Sequence, residues 1–166
     1  MGAITVAARE ASSADVPELE GLLESALVAL ADQRGGEQYL AESLDIGSDR
    51  DSRRAYLESC LLSKELIVTI GELDGVPLGL GLGALSRASA IGCSAKVRLL
   101  WVEPEARQVG LGGLLISYLE TWAASRGASG IDAFALPGLR EAKSLFEASG
   151  FVARLIVMHR VLEKAT

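Results

Sequence analysis

A chain of 166 residues in which 49% of the side chains are apolar can build a substantial core, which excludes general disorder. The net charge of −6 argues against a general nucleic-acid binder, because neutralising phosphates usually requires a basic surface. No apolar run reaches the roughly 18–20 residues of a membrane span, and no basic stretch with a long apolar run opens the chain. We therefore expect a single domain over residues 1–166, cytoplasmic, with neither nucleic acid nor membrane as a partner.

The N-terminal part predicts a short strand followed by helices. Residues 4–9 are β-like, and leucines at helical spacing from Leu19 to Leu30 predict an amphipathic helix that ends before Gly35-Gly36. Residues 38–44 and 52–62 predict two further helices, which carry Tyr39 and Tyr56. Segments of this kind either cover a substrate site or merely connect elements, and the sequence leaves both interpretations open.

A run of three strands comes next. Residues 65–73 and Val76–Leu85 flank Asp74-Gly75, the dipeptide that tight hairpins prefer. The return strand has glycine at positions 79, 81 and 83, so one of its faces lacks side chains. That face is covered either by a closely packed element or by a ligand. Cys93–Val102 is long and mostly apolar, which predicts a central strand.

The C-terminal part alternates helices and strands. A helix begins near Leu111, a strand is predicted at 130–136, a helix at 139–149, and strands at 151–154 and 155–162. The predicted order is therefore β-α-α-β-β-β-α-β-α-β-β. It indicates a mixed α/β (α+β) fold whose central, twisted, mostly antiparallel sheet has six or seven strands and helices on both faces.

The strand that ends at Val102 leads through Glu103-Pro104-Glu105 and a glycine-rich turn, Arg107–Gly113, directly into a helix. Unpaired N–H groups, the helix dipole and the absence of side chains at glycine together favour a bound anion there. A P-loop is excluded because no Lys-Ser or Lys-Thr follows the glycines. A dinucleotide fingerprint is weak because Leu115 stands where its third glycine belongs.

Two runs resemble the GCN5-related N-acetyltransferase (GNAT) superfamily. The first is Val102-Glu103-Pro104-Glu105-Ala106-Arg107-Gln108-Val109-Gly110-Leu111-Gly112, which is similar to the family's Val-x-Pro-x-x-(Arg/Gln)-x-x-Gly-x-(Gly/Ala) pattern. The second, residues 139–151, is similar to the family's Asn-x-x-Ala-x-x-x-Tyr-Glu-x-x-Gly-Phe helix and turn. The length and the order of elements fit the same fold, whereas the region before residue 65 matches poorly.

The resemblance implies an N-acetyltransferase that uses acetyl-CoA as co-substrate and transfers the acetyl group to a primary amine by direct attack on the thioester. The acceptor, a small molecule or a protein amine, is not identified. Backbone N–H groups of the turn would hold the CoA pyrophosphate, and the main chain of the central strand would pair with the pantetheine arm. The residues that the resemblance assigns to the cofactor are Leu100, Trp101, Val102, Arg107, Gln108, Val109, Gly110, Leu111, Gly112 and Gly113.

The chain departs from the family pattern at two positions. Phe146 stands where the family has the tyrosine that acts as general acid, and Leu139 stands where it has asparagine. A phenyl ring cannot donate a proton, so the catalytic residues stay unknown. A catalytically weak or inactive CoA-binding regulatory protein is the alternative. With one histidine, His159, and two distant cysteines, Cys60 and Cys93, we expect no metal site. The late strand 155–162 would give a homodimer a route that the family commonly uses.

Overall fold

The computed structural model describes residues 4–89 and 92–162 of the chain. Its strands are β1 (Val6–Glu10), β2 (Leu66–Leu73), β3 (Val76–Ser89), β4 (Gly92–Val102) and β5 (Ile131–Ala133). Its helices are α1 (Val16–Ala31), α2 (Gly36–Ser43), α3 (Arg50–Leu62), α4 (Leu111–Ser125) and α5 (Arg140–Ala148). The helices predicted from leucine spacing therefore form close to their expected positions. No helix within residues 4–89 and 92–162 combines the length and the apolarity that crossing a membrane requires.

The five strands form one mixed sheet in the order β1-β2-β3-β4-β5. All neighbours are antiparallel except β4 and β5, which run parallel. Helices α1 to α3 cover one face, where Leu19, Leu23 and Leu57 are fully buried. Helix α4 covers the other face with Leu115 and Leu119. This arrangement confirms the predicted mixed α/β fold with helices on both faces.

The glycine row of β3 faces helix α4. A Cβ atom at Gly79 would lie 2.9 Å from Leu115 Cδ1, and one at Gly83 would lie 3.2 Å from Leu119 Cδ2. Gly81 is equally crowded, because its Cβ would lie 2.4 Å from the Thr69 hydroxyl. Of the two explanations that the sequence left open, the packed element is therefore the one the structure shows. The missing side chains let α4 approach the sheet closely.

The predicted strands at 151–154 and 155–162 are not formed, so within residues 4–89 and 92–162 the sheet has five strands rather than the predicted six or seven. Residues 152–162 are exposed and lie outside helix and strand. Their residue types favour a strand, but a strand also needs a neighbour for its backbone groups, and the five-stranded sheet of this chain does not pair with them. Strand β5 is also shorter than the predicted 130–136, since it spans three residues.

Candidate functional site

The centre of the sheet contains a β-bulge at Arg98. In the β3–β4 pairing Leu82 lies opposite Leu99, whereas the next residue, Gly83, lies opposite Val97. Arg98 is therefore the extra residue on β4, and the strand changes direction locally there. The bulge is held from the helical layer, because Tyr39 Oη donates a hydrogen bond to the Arg98 carbonyl at 2.7 Å.

Strands β4 and β5 separate just beyond this point. Their parallel pairing joins residues 95–97 to residues 131–133 and ends at Val97 opposite Ala133. Residues 98–102 of β4 continue beyond the paired part of β5, so β5 does not pair with their main chain on that side. We call this edge of β4 the slot. Leu100 and Val102 are half-buried there, and Trp101 is 8% exposed with its side chain in the core on the α1 side. Three β4 residues, Leu100, Trp101 and Val102, are predicted to contact the cofactor. Because its side chain is buried in the core, Trp101 can contact it only through its main chain.

The turn that follows β4 has an open backbone. A 3-10 turn at Pro104–Ala106 leads to Gln108 with φ of +67° and Gly110 with φ of +90°. Helix α4 then begins at Leu111 and has no acidic residue in its first turn. The first N–H groups of the helix have no carbonyl one turn earlier, and the dipole adds positive potential at the same place. The turn therefore suits an anion.

The glycines of this turn have different surroundings. A Cβ at Gly110 or Gly113 would have no heavy atom within 4 Å, so both positions border open space. A Cβ at Gly112 would lie 2.7 Å from Leu145 Cδ2 on helix α5. Gly112 thus allows α5 to pack against the start of α4, a role that spacing did not predict. Leu111 is 1% exposed and is a core residue, whereas Gln108 and Val109 are exposed.

The side chain of Arg107 lies across the end of the slot. Its Nε donates to the Val102 carbonyl at 3.0 Å, and its guanidinium carbon lies 5.0 Å from the Trp101 ring centroid. One of its Nη atoms lies 3.6 Å from a Glu141 carboxylate oxygen on α5. Arg107 therefore connects the open edge of β4 with the glycine-rich turn, and it is the basic side chain placed between the two predicted parts of the site.

Aromatic and cationic side chains line the other end of the slot, on the side of α2 and α3. Lys96 Nζ lies 4.3 Å from the Phe134 ring centroid, and Tyr39 packs edge-on against the same ring. Arg98 Nε donates to the Ser43 carbonyl, and the Arg98 guanidinium lies 5.7 Å from the Tyr56 ring. The ion pairs found among residues 4–89 and 92–162 include neither Lys96 nor Arg98, so this end of the slot is positively charged.

The titratable groups beside the bulge are held in their neutral forms. Burial raises the pKa of Tyr39 to about 12, so its hydroxyl stays protonated and donates to the Arg98 carbonyl at neutral pH. Burial also raises the pKa of Tyr56 and that of the Cys60 thiol next to it. None of these three groups is poised to accept a proton near pH 7.

Phe146 is a packing residue in this structure. It is 8% exposed, and its ring centroid lies 5.2 Å from that of Phe151 in a tilted arrangement. Its phenyl ring has no group that could donate a proton. Phe134 and Ser43, which contact residues around the bulge, could not be predicted from the sequence. Phe134 lies just beyond β5 and Ser43 lies at the end of α2, and neither position belongs to a motif.

The site thus combines a bulged central strand, the edge of β4 beyond its pairing with β5, and a glycine-rich turn that starts the next helix. Residues 26–151 match the model of the acetyltransferase (GNAT) family. Because that match covers more than half of the chain, the chain belongs to the GNAT acetyltransferase family, and the predicted resemblance is confirmed.

Solved structures show the same fold. The aminoglycoside acetyltransferase AAC(6')-Iy, in complex with the bisubstrate analogue CoA-S-monomethyl-acetylneamine, is 19% identical with a TM-score of 0.73, covering 95% of this chain and 99% of that one. A predicted acetyltransferase from Clostridium acetobutylicum with acetyl-CoA is 14% identical with a TM-score of 0.72, covering 95% and 96%. A transcriptional regulator from Bacillus halodurans C-125 is 17% identical with a TM-score of 0.69, covering 95% and 100%. A comparison with curated proteins gives no match.

Proposed function

We propose that this protein is an acetyl-CoA-dependent N-acetyltransferase whose single domain transfers an acetyl group to a primary amine. The observation that carries the proposal is the continuity of the slot beside residues 98–102 with the turn at 107–113. The slot exposes main-chain groups to an extended arm, and the turn exposes N–H groups to a pyrophosphate. CoA has this combination of an amide-bearing arm and a charged end. Two of the similar structures contain CoA or acetyl-CoA derivatives, which supports the same cofactor here.

The residues present fit such a molecule. The open positions at Gly110 and Gly113 leave room for phosphate oxygens beside the N–H groups of residues 108–113. No acidic side chain in the first turn of α4 opposes a phosphate. The main chain of Leu100–Val102 would pair with the pantetheine amides. Arg107 Nε now donates to the Val102 carbonyl, so an arm bonded to that carbonyl would free the guanidinium for the nearby phosphates.

The chemistry would consist mainly of positioning. Acetyl-CoA supplies a thioester, whose carbonyl carbon is attacked by the amine nitrogen while the bond from carbon to sulfur breaks. Holding both reactants in place can supply several kcal/mol, and backbone N–H groups at the bulge are candidates to polarise the carbonyl. The attacking amine must first lose a proton. Tyr39 cannot accept it, because burial raises its pKa and its hydroxyl already donates to the Arg98 carbonyl, so water near the slot is the acceptor we propose.

The positive charge at the α2 and α3 end of the slot favours one kind of acceptor amine. Lys96 and Arg98 project from β4 on the side of α2 and α3, and Asp132 beside them is paired with Arg154 Nη2 at 2.5 Å. Two cations would repel a polycationic acceptor and attract an amine that carries a carboxylate or another anionic group.

Two measurements test the function. In a thermal-shift assay, acetyl-CoA should raise the unfolding midpoint more than NADH or ATP, and equal shifts would contradict the cofactor assignment.

In a thiol-release assay over an amine panel, amino acids with a free amine and a carboxylate should be acetylated faster than an aminoglycoside. Binding of acetyl-CoA without thiol release from any amine would instead support the inactive CoA-binding protein. The reverse order of acceptors would contradict the charge argument alone.

Restoring the family's proton donor should raise turnover. In Phe146→Tyr we expect the acetyl-transfer rate to increase about tenfold, less than the 10²–10⁴-fold typical of general acid catalysis, because a thiolate already leaves readily near neutral pH. The new hydroxyl must fit beside Phe151, so the unfolding midpoint should be measured together with the rate. Phe151→Tyr is the matched control, since it adds the same hydroxyl to the neighbouring ring. An unchanged rate in a stably folded Phe146→Tyr variant would mean that the reaction needs no acid at this position.

A further inference from the structure

One of the chain's own side chains occupies a hydrogen-bonding group of the slot. The N–H of Glu103 donates to the Leu78 carbonyl on β3 at 2.8 Å. Because backbone groups alternate in direction along a strand, the N–H and carbonyl of the preceding residue, Val102, point away from β3 and toward the slot. The Val102 carbonyl is thus an acceptor that an extended arm in the slot would use. It already accepts a hydrogen bond from Arg107 Nε at 3.0 Å.

Two further contacts hold the Arg107 side chain in this position. Its guanidinium carbon lies 5.0 Å from the Trp101 ring centroid, and one of its Nη atoms lies 3.6 Å from a Glu141 carboxylate oxygen. The side chain is 36% exposed, so a ligand in the slot or at the turn can reach it. Without a ligand, the Val102 carbonyl therefore has a charged partner that any other donor must displace.

Displacing Arg107 has a different cost for charged and for uncharged ligands. A hydrogen bond from a charged donor is stronger than one from a neutral amide, so an amide that replaces the guanidinium at the Val102 carbonyl gains less than the guanidinium loses. A thioester without charge consequently binds against this loss. A thioester with phosphates at its far end gives the displaced guanidinium a new anionic partner beside the turn at 107–113.

The contact with Glu141 does not prevent that exchange of partners. The Glu141 side chain is 73% exposed and its oxygen lies 3.6 Å from the Arg107 nitrogen, so the pair is long and surrounded by water. Ion pairs of this kind contribute little to stability. A phosphate, by contrast, can accept two parallel N–H bonds from one guanidinium. Arg107 is therefore free to leave the Val102 carbonyl when a phosphate arrives at the turn.

We propose that Arg107 is a specificity-determining residue, which blocks the slot against uncharged thioesters and opens it to thioesters that carry an anionic end. This inference rests on the proposed function, since it assumes that the slot holds the acyl-bearing arm. It extends that function, because one side chain acquires two opposite effects: it weakens binding of the arm and strengthens binding of the phosphates.

Titration calorimetry with two thioesters tests the proposal. S-acetyl-pantetheine has the same arm and thioester as acetyl-CoA but lacks the phosphates and the nucleoside. In Arg107→Ala, which removes both the donor and the charge, we expect about tenfold tighter binding of S-acetyl-pantetheine and about tenfold weaker binding of acetyl-CoA. Tighter binding of the uncharged ligand is the diagnostic result, because neither lost packing nor a lost phosphate contact would produce it.

Arg107→Gln separates the donor from the charge. Glutamine Nε2 is as many bonds from Cα as arginine Nε, so it can still donate to the Val102 carbonyl, but it is neutral. We expect its affinity for S-acetyl-pantetheine to lie between those of the wild type and Arg107→Ala, and its affinity for acetyl-CoA to be lower than that of the wild type. Arg126→Ala is the matched control, because it removes the same charge from an exposed position at the other end of α4 and should change neither affinity.

The outcomes distinguish this inference from the proposed function. Unchanged or weaker binding of S-acetyl-pantetheine by Arg107→Ala, with acetyl-CoA still bound by the wild type, would overturn the inference alone. Failure of acetyl-CoA to bind the wild type would overturn the proposed function and this inference with it.

Nuclear magnetic resonance of the wild-type protein gives a readout that needs no variant to fold. The Arg107 Nε–H should exchange slowly with water in the unliganded protein, because it is hydrogen-bonded, and its signal should shift when acetyl-CoA binds. Rapid exchange without a ligand would mean that the bond to Val102 does not persist, and the proposal would be wrong.

Discussion

Gly113→Glu should weaken acetyl-CoA binding by about 100-fold or more while leaving the unliganded protein as stable as before or more stable. A glutamate in the first turn of α4 interacts favourably with the helix dipole, and replacing glycine in a helix stabilises it by up to about 1 kcal/mol. The position has room, since a Cβ there meets nothing within 4 Å. The same carboxylate would stand where the pyrophosphate is proposed to bind, and like charges at that range cost several kcal/mol.

The two halves of this prediction are measured separately. Titration calorimetry should give the loss of affinity, and thermal unfolding without ligand should give a midpoint that is unchanged or raised by roughly 2–4 °C. Ser117→Glu is the matched control, because it makes the same charge change on an exposed position of the same helix, beyond its first turn. Equal loss of affinity in both variants would trace the effect to net charge and would contradict the assigned turn.

Gly112 is a poorer position for this test. Its substitution by valine would push against Leu145 on α5 before it blocked a ligand, so a loss of binding there would combine a packing defect with a blocked site. An unfolded or rearranged α5 could explain the result as well as a steric block could. The open position at Gly113 avoids that ambiguity because substitution there changes the site without disturbing a neighbour.

Gly81→Val should destabilise the fold by about 3 kcal/mol or more. A Cβ at Gly81 would lie 2.4 Å from Thr69 Oγ1 and 3.4 Å from Leu119 Cδ1, and the valine methyl groups extend further toward α4. Overpacking a core costs about 1–3 kcal/mol. Displacing the Thr69 hydroxyl would also break its hydrogen bond to the Gly81 carbonyl, a buried interaction at 3.1 Å. A buried donor or acceptor left without a partner adds about 1–3 kcal/mol.

Urea unfolding followed by circular dichroism would measure this loss. The control is Gly130→Val, the same substitution at a glycine whose Cβ would have open space and whose φ is not in the left-handed region. We expect that control to change the free energy of unfolding by less than about 0.5 kcal/mol. If Gly81→Val unfolds at the wild-type urea concentration, helix α4 does not lie on the glycine row as described.

Features that depend on local sequence were predictable. The leucine spacing of α1, the helix that begins near Leu111, the Asp74-Gly75 hairpin and the glycine-rich turn each depend on neighbours a few residues away, and each is present in the structure. The two motif runs were enough to indicate the GNAT family, which the family model confirms. For the β3 glycines the sequence showed a strand face without side chains. It did not show whether a packed element or a ligand covers that face.

Features that depend on distant partners could not be predicted. Residues 151–162 have a composition that favours strands, but strand formation also requires a neighbouring strand, which the rest of the sequence does not specify. The contact of Gly112 with Leu145 joins residues more than thirty positions apart, so local spacing could not predict it. The hydrogen bond from Arg107 Nε to the Val102 carbonyl was not predicted either, because the sequence indicates only that Arg107 lies in the turn.

The bulge at Arg98 also explains how one strand serves both layers of the protein. Ala95 and Val97 pack with α4, whereas Leu99 and Trp101 pack with α1, although all four lie at alternate positions that would share one face of a regular strand. The extra residue reverses the orientation of the strand between them. Strand β4 thereby contributes side chains to the hydrophobic clusters on both faces of the sheet, so the loss of one cluster would disturb the other. Unfolding of the sheet and its helices should consequently be a single cooperative transition.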